Sequence, residues 1–129
     1  MPNATPVIVV LDDEPDIQKA LRRLLTSKGF VVETYGRGED LIAALDSHRI
    51  DCLLLDLHMA GVNGFDVLEA FQSRHIRVPV VVITGHDEPS TEARARSLGA
   101  AEYLKKPVDR AALLSAIHSA IAGNHDQPA

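Results

Sequence analysis

The sequence predicts an α/β fold: a single doubly wound, five-stranded parallel sheet with helices on both faces. Three observations predict it. Five short apolar runs recur along the 129 residues, each ends at polar or charged residues, and each is followed by a stretch with helical spacing. Runs that are apolar at consecutive positions belong to strands buried on both sides, and strict strand-helix alternation makes their sheet parallel.

Each element has its own reason. Val7-Ile8-Val9-Val10-Leu11 is largely β-branched and stops abruptly at Asp12-Asp13-Glu14, so it reads as the first strand. Pro15 suits a first helical turn, Ile17, Leu21, Leu24 and Leu25 keep helical phase, and Gly29 stops a helix expected over residues 15–28. Residues 30–35 are β-rich, and Gly36-Arg37-Gly38 breaks them before a helix carrying Leu41, Ala44 and Leu45. Leu53-Leu54-Leu55-Asp56 runs apolar up to one carboxylate and is the third strand. In Gly61-Val62-Asn63-Gly64, Asn63 caps a third helix that buries Val67, Leu68 and Phe71. Val78-Pro79-Val80-Val81-Val82-Ile83 is the fourth strand, with Pro79 tolerated at its start, and it ends at Thr84-Gly85-His86. Pro89 opens a fourth helical stretch to Leu98-Gly99 whose core face offers mainly alanines and Leu98, the weakest packing in the chain. Ala101-Glu102-Tyr103-Leu104 is a short fifth strand ending in Lys105-Lys106-Pro107. A last helix carries Leu113, Leu114, Ile117 and Ile121 and stops at Gly123.

Residues 6–123 therefore make one domain, large enough to bury a core without staples, with flexible ends at 1–5 and 124–129. Apolar residues at 46% and charged residues at 24% are ordinary for a soluble globular protein. The net charge of −5 gives no basic footprint, so no direct nucleic-acid contact is expected. The one cysteine, Cys52, reads as a small buried hydrophobe. No apolar run is long enough to insert in a membrane, and Met1-Pro2-Asn3-Ala4-Thr5 lacks the regions of a signal peptide, so a cytoplasmic location is expected.

Ligands of open α/β sheets bind beyond the carboxyl ends of the strands, where the winding reverses. In the flavodoxin-like order 2-1-3-4-5 the first and third strands are neighbours there, which brings Asp12 and Asp13 to Asp56. Carboxylates so placed repel one another unless a cation compensates. Acids without a thiol or imidazole set suit Mg²⁺, which is usually held by one or two carboxylates plus a phosphate. Lys105 or Lys106 adds an ammonium at the end of the fifth strand, and Thr84 a hydroxyl at the end of the fourth. A carboxylate nucleophile, a metal, an ammonium and a hydroxyl are what phosphoryl transfer requires. Each group has a plainer reading alone: acids capping the first helix, a threonine bonded to backbone, lysines on a solvated edge. Their coincidence at four strand ends favours one shared site.

On these residues the chain resembles a response regulator receiver domain of bacterial two-component signalling, over nearly its whole length. The matching motifs are Leu11-Asp12-Asp13-Glu14, Asp56-Leu57-His58-Met59-Ala60-Gly61-Val62-Asn63-Gly64, Thr84-Gly85-His86 and Tyr103-Leu104-Lys105-Lys106-Pro107. Ile83-Thr84-Gly85-His86 is similar to receivers of the nitrogen-fixation regulator group. The resemblance implies that Asp56 accepts a phosphoryl group from a histidine kinase or phosphotransfer protein. It implies that Asp13, Asp56 and the backbone carbonyl of His58 ligate Mg²⁺, with Asp12 acting through water. Lys106, before proline across a cis peptide, would pair with the phosphoryl group. Thr84 and Tyr103 would form a switch coupling the site to the face of helix four, strand five and helix five, where a protein effector binds and a homodimer would form.

Two departures and several rival classes bear on this. Ala60 stands where the family usually has proline, which leaves the loop less rigid. His58 and His86 stand where the family tunes phosphoryl lifetime; with six scattered histidines in an acidic chain, they read as surface residues rather than a zinc site. An aspartyl-phosphate hydrolase would want a second acid where His58 stands. A nucleotide-binding module would want a glycine-rich loop where Asp12-Asp13-Glu14 repel phosphate. The expected function is transient phosphorylation that switches a surface for downstream protein binding or phosphorelay, given the short tail after Gly123 and unless the chain is a piece of a longer regulator, and not the turnover of a dedicated enzyme. The alternative is a receiver-like interaction module that works without phosphorylation.

Overall fold

The computed structural model describes residues 5–46, 49–59, 61–85 and 88–125, with side chains to Gly123. Five strands alternate with five helices: β1 (Val7–Leu11), α1 (Pro15–Ser27), β2 (Val31–Tyr35), α2 (Gly38–Ala44), β3 (Cys52–Asp56), α3 (Gly64–Ser73), β4 (Val80–Thr84), α4 (Thr91–Ser97), β5 (Glu102–Lys105) and α5 (Arg110–His125). Every neighbouring pair is parallel, in the order β2-β1-β3-β4-β5. β3 and β4 are buried at every position, which is why their sequences read as unbroken apolar runs.

The pleat divides the strands' side chains between two cores. Val9, Leu11, Leu53, Leu55, Val82 and Tyr103 pack with Leu41 of α2, Val67, Leu68 and Phe71 of α3, and Ala95 of α4. Ile8, Val10, Leu54, Val81 and Ile83 pack on the other side with Leu25 of α1 and Leu113 and Ile117 of α5. Cys52 belongs to this second core, and burial pushes its thiol up to about 12. No helix among the described residues is long and apolar enough to cross a membrane.

Local chemistry sets the helix ends. Pro15 stands in the first turn of α1, and Gly29, at φ 94°, turns the chain toward β2. Asn63 caps α3 in a reciprocal box: its side chain accepts from Asp66 N at 3.0 Å, and Asp66 Oδ2 accepts from Asn63 N at 3.1 Å.

Several boundaries differ from expectation by a residue or more, three of them for a local reason. Pro79 precedes β4 instead of starting it; lacking an N–H, it joins only through its carbonyl, which accepts from Leu53 N at 3.0 Å. Pro89 lies in a turn closed by Thr91 N donating to Glu88 O at 3.0 Å, so α4 starts at Thr91 and buries only Ala95. Gly123 does not end α5, which continues to His125 and takes in the first two residues of the expected flexible tail. Its φ is not in the left-handed region that closes a helix, and one glycine costs a helix only about 1 kcal/mol.

Candidate functional site

Asp56 closes β3, Asp12 follows β1 directly, and the two strands are neighbours. One carboxylate oxygen from each of Asp12, Asp13 and Asp56 therefore lies within 4.8 Å of the others. Asp12 and Asp56 are only 3% and 6% exposed, whereas Asp13 is open to solvent.

Backbone amides fix the two buried acids. Asp12 Oδ1 accepts from Glu14 N at 2.9 Å, and Asp56 Oδ1 accepts from His58 N at 3.1 Å. The other oxygen of each meets the Lys106 ammonium, with Nζ 3.3 Å from Asp12 Oδ2 and 3.5 Å from Asp56 Oδ2. Lys106 is brought there by β5: its N donates to Thr84 O at 2.8 Å, and the Lys106–Pro107 peptide is cis. Of the two lysines, Lys105 is the exposed last residue of β5 and pairs in the ladder with Thr84.

Thr84 ends β4 and is fully buried. It continues the strand face of Val80 and Val82, and Tyr103, 9% exposed, packs in their core. Asp56 instead continues the face of Cys52 and Leu54, on the α1 and α5 side. His58 is exposed just beyond β3, while Ala60 and His86 lie outside the described residues. A residue that the sequence reading missed is Gln18, whose Nε2 donates to Asp12 O at 2.6 Å. No helical spacing flags it, because its partner is a carbonyl just beyond β1 and outside the helix.

Burial raises the pKa of Asp56; the His58 N–H and the Lys106 charge act against this, and Asp12 adds to it, leaving it raised. Burial alone would lower the pKa of Lys106, but the charges of Asp56, Asp12 and Glu14 outweigh it, so it too is raised. Asp12, Asp13 and Asp56 together carry more negative charge than the one Lys106 ammonium offsets, a surplus that a divalent ion would reduce. The oxygen-only donor set suits a hard cation, and among the described residues it is the one group of acids, histidines or cysteines close enough to hold an ion. A cavity of about 680 Å³ opens beside it, bordered by Asp12, Asp56, Lys106, Ile17 and Pro107.

An open, doubly wound sheet with acids and a lysine gathered at its switch point defines a class of α/β protein that binds ligands at the carboxyl edge. The chain belongs to the response regulator receiver domain family, whose model matches residues 8–118. It is 32% identical over 121 residues to the DNA-binding transcriptional regulator NtrC of Salmonella typhimurium, covering 94% of this chain and 26% of that protein. It is 31% identical over 127 residues to the transcriptional regulatory protein FixJ of Azorhizobium caulinodans, covering 98% of this chain and 60% of that one. The chain thus spans about a quarter of one relative and less than two thirds of the other. Among solved structures it matches the response regulator StyR at TM-score 0.83 and 35% identity, covering 95% of this chain and 62% of that one. It matches FixJ-N at TM-score 0.86 and 28% identity, covering 98% and 99%.

Proposed function

We propose that Asp56 is a phosphoacceptor charged by a partner histidine kinase or phosphotransfer protein. The observation that carries this reading is the Asp56 carboxylate, 6% exposed, held by the His58 N–H on one oxygen and facing Lys106 and Asp12 on the other. An Asp56 oxygen attacks phosphorus, and the bond to the donor imidazole nitrogen breaks with its electron pair left on the ring, which takes up a proton. Lys106 stabilises charge on the transferred oxygens. Asp13 and Asp56, with the His58 carbonyl and Asp12 through water, would hold Mg²⁺, which neutralises charge on the phosphoryl group when bound. Water later attacks phosphorus, the Asp56 O–P bond breaks with its electron pair left on the carboxylate, and inorganic phosphate leaves.

Phosphorylation would act on a two-state surface through Thr84 and Tyr103, with α4, β5 and α5 as the face for a protein effector, a relay partner or a second copy. A cytoplasmic setting suits this reading. The expectation of no direct nucleic-acid contact rests on charge alone, and the relatives' names, a DNA-binding regulator among them, do not support it. The test is incubation with acetyl phosphate and Mg²⁺: the intact mass gains one phosphoryl group, and Asp56→Ala gains none. A wild-type chain that gains none overturns the reading in favour of an interaction module that works without phosphate.

A further inference from the structure

The loop after Asp56 poses a positioning problem. Residues 57–63 include no proline to stiffen the backbone that presents the His58 N–H, and Gly61 sits at φ 76°. The base of the loop is closed at Gly64, where a Cβ would lie 2.6 Å from Leu57 Cα and 2.8 Å from Asp56 O. Gly64 N donates to Leu57 O at 3.0 Å. The outer half of the loop leans on α2. A Cβ on Gly38 would stand 2.9 Å from Val62 Cγ1, closer than a Cβ approaches another atom, and a tight 3.2 Å from both Val62 Cβ and Val62 O. Val62 is β-branched and has little rotamer freedom to retreat. Gly38 begins α2, is buried, and does not adopt a positive φ, so space and not backbone conformation demands glycine there.

We propose that Gly38 is a positioning residue for Asp56. Its missing side chain seats Val62 against α2 and thereby helps hold His58 where its N–H meets Asp56 Oδ1 at 3.1 Å. Helix propensity alone says that alanine would strengthen α2. The contact says that alanine pushes Val62 outward and takes the loop with it. The link to phosphorylation rate rests on the phosphoacceptor reading above; the effect on the loop does not.

Gly38→Ala, with and without Val62→Ala, separates the possibilities through two readouts on the full chain. One is hydrogen exchange of the His58 amide followed by NMR; the other is the phosphorylation rate with acetyl phosphate and Mg²⁺. Gly38→Ala is expected to speed His58 exchange and slow phosphorylation, each by roughly ten-fold, since a misplacement near 1 Å can cost about 100-fold. The double variant should return both to within about two-fold of wild type, because the worst overlap is with the Val62 methyl. Val62→Ile, which crowds the same contact from the loop side, should move both readouts in the same direction and serves if Gly38→Ala does not fold. A lowered melting temperature with His58 exchange unchanged, or a faster His58 exchange that Val62→Ala fails to rescue, overturns the proposal. If the wild-type chain takes no phosphoryl group, the phosphoacceptor reading fails while the His58 exchange still decides on Gly38.

Discussion

Lys106 and Asp56 are fifty positions apart in sequence, yet the lysine Nζ lies 3.5 Å from Asp56 Oδ2. The ammonium is partly buried, so its field on the carboxylate is screened far less than that of a surface pair. Lys106→Met removes it and leaves the acids facing one another. The phosphorylation rate with acetyl phosphate, followed by intact mass, is expected to fall by about 10²–10³, the effect of losing one preorganised donor. A fall smaller than about three-fold would remove Lys106 from the chemistry.

The raised pKa of Asp56 has a defined sign for stability. Its proton binds more tightly in the folded chain, so this contribution is fully present below the unfolded pKa and is lost as pH rises through the folded one. Asp56→Asn is therefore expected to raise the melting temperature at neutral pH, with the gain shrinking on acidification toward the ordinary aspartate range near 4. The phosphorylation rate, which needs the carboxylate, should begin to fall at a higher pH than an ordinary aspartate would dictate. An equal gain in melting temperature at about pH 7.5 and about pH 3.5 would refute the assignment.

Divalent cation should stabilise the fold by mass action. At free Mg²⁺ about a hundred times its Kd, the gain is about 2.7 kcal/mol, and chelation reverses it. Asp13 is exposed, so Asp13→Asn should fold normally and lose most of the gain. Melting curves with MgCl₂ and with EDTA measure both; an undiminished gain in the variant would locate the ion elsewhere.

Helix α4 buries one side chain, Ala95, and its Arg94 guanidinium stands 4.0 Å over the Phe65 ring of α3. Arg94→Ala should cost about 0.5–1 kcal/mol, the worth of an exposed cation–π contact. It should also speed amide exchange in α4 more than in α3. If phosphoryl mimics leave α4 exchange unchanged in the wild-type chain, α4 is not the switching element.

Strands buried on both faces made the sheet legible, because apolar runs such as Cys52 to Leu55 have no solvent side to alternate with. The site was legible as residue types at strand ends; the choice of Lys106 over Lys105 came from the lysine-proline motif, and the ion pair with Asp56 agrees with it. Pro89 and Gly123 misled because local punctuation was read as element boundaries, while a turn at 88–91 and the run of α5 overrode it. Gln18 with Asp12, Gly38 with Val62 and Arg94 with Phe65 depend on elements meeting in space, which no periodicity in one stretch records.

The division of the core by the sheet has an evolutionary consequence. Asp56 continues the side shared by α1 and α5, whereas Thr84 and Tyr103 belong to the side covered by α2, α3 and α4. On the proposed function, α5 belongs both to the acceptor's flank and to the face that is read, whereas α4 belongs to the reading face alone. Substitutions on α4 can then change the reader and leave the acceptor's flank intact, so a lineage can rewire an output while keeping its input.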